Sequence, residues 1–116
     1  RLAGVEAAYW TDVGAKEHLR WVMGEPEDRL LDALARLHAA GRDHLVADSR
    51  LVGMFRAYGL LAPVWDLVPG TGPEVLEEPA AQFAAALAEA LADGSPLSAE
   101  ERAARSGLAN RQVTIR

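Results

Sequence analysis

The sequence predicts an α+β fold: a mainly antiparallel sheet of about five strands, drawn from two ββα units, with helices packed on one face. Three observations point there. Paired stretches alternate apolar and polar residues around short turns, and each pair is followed by a segment with apolar residues at helical spacing. Strands never alternate singly with helices, as a parallel doubly wound sheet would require.

The first strand is expected over Gly4–Thr11, with Val5, Ala7 and Tyr9 on one side. A loop follows through Gly14 to Glu17, and His18–Met23 alternates more cleanly, Leu19, Trp21 and Met23 against His18, Arg20 and Val22. A single long helix over Val5–Val22 is the rival, opposed by Gly14 and the Thr11-Asp12 pair. Pro26 then opens a helix, since proline suits a first turn and Glu25, Glu27 and Asp28 suit the positive end of its dipole. Leu30, Leu31, Leu34 and Leu37 form its stripe, and Gly41 ends it. Arg42–Ser49 is polar and irregular, hence a loop.

A second hairpin fits Arg50–Ala57 and Leu61–Val68, turning near Tyr58-Gly59. Pro63 lacks an amide hydrogen, so its strand should lie at an edge or carry a bulge. Pro69–Pro73 breaks the chain. Helix follows over about Glu74–Ala92, kinked or restarted at Pro79, with Phe83, Leu87 and Leu91 as its stripe. Ser98 and Glu101 are spaced as a capping box, starting a short helix that Gly107 should release near Ser106. Gln112–Arg116 reads as a last strand.

One domain over residues 1–116 accounts for this order, and a start at Arg1 suggests the C-terminal domain of a longer protein. The formal charge of −5 and the single lysine, Lys16, argue against nucleic acid as a partner. No apolar run reaches the roughly 20 residues of a membrane span, and no signal-like segment opens the chain, so a cytoplasmic location is expected. Without cysteine, stability must come from packing.

Chemistry-bearing motifs are sparse. His38 and His44 are six residues apart and have no partners that would complete a metal site, so no metal is expected. Serines lack a Gly-x-Ser-x-Gly setting, and Gly70-Thr71-Gly72 is followed by proline instead of a phosphate-binding sequence, so no cofactor is expected. Glu77-Glu78 and Glu100-Glu101 suit helix starts. Arg20, Arg56, Trp10 and Tyr58 fall on strands or their turns, where guanidinium groups beside aromatic rings recognise anions. The plainer alternative places Trp21 and Trp65 in the core and pairs Arg56 with Asp66 across strands.

Apolar residues also occupy both alternate sets of Leu51–Phe55 and of Leu61–Val68. A sheet with one wet face should not show this, so both faces are expected to be covered. Three functions follow. The first is a non-catalytic interaction domain with Val52, Met54 and Trp65 at its boundary, meeting a second copy or an N-terminal domain of the same protein. The second is a module for a small anionic ligand built on Arg20, Arg56, Trp10 and Tyr58. The third is an enzyme using His18 or His44 with Asp48 or Asp66.

The segments GVEAAYW, HLRWVM, LLDALARLHAAG, APVWDL and AEERAARSGLANRQVTIR resemble the C-terminal domain of an uncharacterised actinobacterial protein family. Its members are sometimes labelled SecA-like preprotein translocase proteins. The resemblance covers nearly the whole chain and implies a domain of unknown function, with no catalytic or binding residues to carry over. The chain contains nothing like the nucleotide-binding motifs or the Cys-rich zinc tail of that motor.

Overall fold

Hairpin propensity and helical periodicity meet in an α+β arrangement, seen in a computed structural model that describes residues 7–12, 14, 16–57 and 60–114. Its strands are β1 (Ala8–Asp12), β2 (Glu17–Trp21), β3 (Arg50–Ala57), β4 (Leu60–Leu67) and β5 (Gln112–Thr114). Its helices are α1 (Glu27–Ala39), α2 (Glu77–Ala92) and α3 (Ala99–Asn110). The sheet order is β1-β2-β4-β3-β5. The first four strands pair antiparallel, and the short β5 runs parallel to β3 at its outer side.

The two hairpins therefore join through β2 and β4. That places Pro63 in an interior strand, not at an edge. The missing amide hydrogen is accommodated by a gap: the β2–β4 ladder runs from Glu17–Leu67 to Arg20–Val64 and resumes only at the isolated Met23–Leu61 bridge. The irregularity expected of this strand also appears on its partner, where pairing slips between Leu51 and Gly53 of β3.

This bulge corrects the expectation of two apolar faces for β3, whereas on β4 residues 61–65 are all buried and both alternate sets are covered as expected. An extra residue between Leu51 and Met54 breaks strict alternation, so both side chains turn to the same side and both are buried. Leu51 and Met54 join Leu19, Trp21, Leu61, Trp65 and Leu67 in one core with the helices. Trp65 is fully buried, with its ring 5.2 Å edge-on from Phe83 of α2 and 6.2 Å from Trp21. Its indole N–H donates to the Asp43 carbonyl at 2.8 Å. The opposite face shares no residue with that helix-bearing core, yet Ala62 and Val64 of β4 are buried there too.

α1 is packed on several sides, with Leu30, Leu31, Ala33, Leu34, Ala35 and Leu37 all buried. It ends in a Schellman motif. Gly41 takes φ +69°, Arg42 N donates to Leu37 O and Gly41 N to His38 O. α2 follows a 3-10 turn at Glu74–Leu76 and holds Pro79 in its first turn, where no amide hydrogen is needed. α3 starts with the expected capping box: Glu101 N donates to Ser98 Oγ and Ser98 N to Glu101 Oε1. It does not stop at Gly107. Leu108 is fully buried, and Arg105 reaches Asp32 at 2.7 Å and Asp28 at 3.1 Å on α1, so contacts carry the helix through the glycine. Among the described residues, no helix is long and apolar enough to cross a membrane.

Candidate functional site

Alternation along β2 and β4 sorts the charged strand residues between the two faces. Glu17 and Arg56 share the side of the core residues, and each charge finds partners there. Glu17 is 4 % exposed. It accepts from Trp10 Nε1 at 2.8 Å and from the backbone amides of Gly70 and Gly72. The Gly72 amide above all holds its carboxyl below the ordinary range, against the opposing effect of desolvation. Arg56 donates to Glu27 Oε1 through Nε at 2.7 Å and also through Nη2, tying the end of β3 to the start of α1.

The opposite face is different. Register places two rows across it. One runs Thr11–His18–Asp66–Arg50 and the other Tyr9–Arg20–Val64–Gly53, in the order β1-β2-β4-β3. Lys16 reaches this face from the loop before β2, its Nζ 3.2 Å from Asp66 Oδ2. His18 Nδ1 lies 2.9 Å from Asp66 Oδ1 but out of line for a hydrogen bond, and it is buried without another partner. Lys16, Arg20 and Arg50 thus share this face with Asp66, on a chain whose formal charge is −5.

Between the rows lies a hollow of about 270 Å³ lined by Thr11, His18, Arg20, Phe55 and Val64. Its walls are polar on the β1–β2 side and apolar on the β3–β4 side. The Arg20 guanidinium stands 5.9 Å from the centre of the Tyr9 ring. A cation over an aromatic face is held by the ring's quadrupole while its planar fork of N–H donors stays open. Among the described residues, Arg20 makes no ion pair with a carboxylate.

The residues singled out from the sequence are dispersed by this geometry. Arg20 lines the hollow, whereas Arg56 and Trp10 belong to the helix side, engaged by Glu27 and Glu17. Tyr58 lies outside the described residues. Arg56 and Asp66 do not pair: Asp66 is held by Lys16 and His18. Val52 is half-buried, while Met54 and Trp65 are buried within the single chain. Of the histidine–carboxylate pairs considered, His18 and Asp66 meet. His44 instead contacts the Ser49 carbonyl at 2.8 Å and lies 3.8 Å from Asp43.

Tyr9, Thr11, Phe55 and Val64 were not anticipated as site residues. Parity along the strands carries the signal for Thr11 and Val64, since each stands opposite His18 or Arg20 on a neighbouring strand. For Phe55 no such signal exists, because the bulge resets the parity of β3. Among the described residues, no cluster of three or more His, Cys, Asp or Glu side chains could hold a metal ion.

Residues 1–116 match the model of a family of unknown function (DUF5926), and the chain belongs to that family. No curated protein and no solved structure matches it.

Proposed function

We propose that this member of the DUF5926 family is a non-catalytic binding domain that takes an anionic ligand on the face of its sheet opposite the helix-bearing core. The observation that carries this reading is Arg20, braced by Tyr9 and without a carboxylate partner among the described residues, at the wall of a half-apolar hollow. A guanidinium so placed recognises a carboxylate or a phosphate through two parallel hydrogen bonds. Asp66 does not neutralise it, because Lys16 and His18 already engage that carboxylate. The hollow's opening to solvent disfavours catalysis, since a base gains from a site that excludes water. Thermal denaturation in the presence of small organic acids and of inorganic phosphate tests the reading. At least one should raise the melting temperature of the wild type and leave Arg20→Ala unmoved; no shift with any of them overturns it.

A contact with a second copy of the chain is the other reading. Tyr9 and Leu60, exposed large apolar side chains at 37 % and 38 %, occupy positions on this same face. The half-buried Val52 contributes no comparable patch. Sedimentation at increasing concentration should then show a dimer that Tyr9→Lys dissociates. A strictly monomeric mass sinks this second reading.

A further inference from the structure

We infer that the ligand is a small monocarboxylic acid with a flat apolar body, its carboxylate on Arg20 and its body against Val64 and Phe55. This rests on the binding role proposed above and narrows it.

Size is the first argument. At about 270 Å³ the hollow lies just below the roughly 300–1,000 Å³ of drug-sized and cofactor sites. It takes an acid the size of one substituted ring within its walls, and a larger ligand would extend beyond it into solvent. Charge is the second. Lys16 and His18 are turned to Asp66, at 3.2 and 2.9 Å, and among the described residues Arg20 is the one permanent cation that lines the hollow, Arg50 lying in the other row. One guanidinium balances a monoanion. A phosphate dianion would keep surplus charge beside Asp66 and gain no second cation. The lining is the third argument. Val64 and Phe55 bring apolar surface from β4 and β3, and Thr11 brings one hydroxyl from β1. Val64 is already only 9 % exposed, so the gain is at the half-buried Phe55, which a bare inorganic anion would leave wet and an apolar body removes from water. Sites of this kind join apolar walls to a few placed polar groups that fix orientation.

The two halves of the ligand can be tested apart by following the signals of Arg20, Val64 and Phe55 in an NMR titration. The probes are benzoate, benzamide and inorganic phosphate, and the proteins are wild type, Arg20→Lys and Arg20→Ala. Arg20 is exposed on a strand, and circular dichroism checks that both variants remain folded. Benzoate should move all three signals to saturation, with benzamide and phosphate weaker by about tenfold or more, the value of a single charge-assisted contact. Arg20→Ala should weaken benzoate by a similar factor, and Arg20→Lys should recover only part, because an ammonium lacks the fork. Phosphate binding at Arg20 as tightly as benzoate overturns the inference and leaves the binding role standing. So does benzamide matching benzoate, or Arg20→Lys matching the wild type. No movement with any probe removes both.

Discussion

Glu17 shows how one side chain can organise a loop. A carboxylate removed from water is costly unless hydrogen bonds replace the lost hydration. Here the Trp10 indole and the amides of Gly70 and Gly72 do so, fixing the Pro69–Pro73 turn against the first hairpin. Because the folded carboxyl is held below its ordinary value, it stabilises the fold at pH above the unfolded value, about 4.3 for glutamate. That contribution disappears as pH falls through the folded value. Glu17→Gln should therefore melt below the wild type at neutral pH, with the gap closing on acidification below about pH 4. Melting curves by circular dichroism across pH 3–7 measure it, and a gap independent of pH contradicts the account. The sequence disclosed Glu17 only as a loop-end acid. Its partners at positions 70 and 72 are supplied by the fold, so its role was invisible to local inspection.

At the scale of elements, the β3 bulge decides both packing and the candidate site. Gly53 sits where a Cβ would come within 2.9 Å of the Arg111 carbonyl oxygen, a backbone atom with little room to yield. The same oxygen accepts from Met54 N at 3.4 Å, where the chain leaves α3 for β5. Gly53→Ala should accordingly push the C-terminal segment away from β3. Overpacking of this kind costs about 1–3 kcal/mol, read as a lower urea midpoint with an unchanged slope. A variant as stable as the wild type would show that Arg111 gives way freely. Element identities were legible: α1 from its leucine spacing and Gly41, α3 from its capping box, and β3 from its residue pattern. The bulge was not, because an inserted strand residue leaves no local mark beyond one glycine. Counting alternation through it assigned Met54 to the wrong face, while on β4 both alternate sets are buried as the count implied.

For the whole molecule, the decisive feature is that helices cover one side of the sheet and the other carries Tyr9, Thr11, His18, Arg20 and Asp66. On the covered side, Trp21, Trp65 and Phe83 gather from β2, β4 and α2, elements far apart in sequence. Arg36 of α1 adds a polar clasp, reaching Asp93 at 3.3 Å and Ser95 in the α2–α3 connection. Exposed pairs of this sort contribute little energy, and they fix the direction in which α3 returns across α1. By itself the sequence determined the α+β class, the order of the elements and the turn and cap chemistry, because these depend on neighbours within a few residues. Only tertiary structure decided that β2 joins β4, that Arg56 and Trp10 are spent on Glu27 and Glu17, and that Arg20 has no carboxylate partner among the described residues. Those outcomes follow from strand register and from which charges find partners across the sheet, and both are set by contacts between residues distant in the chain.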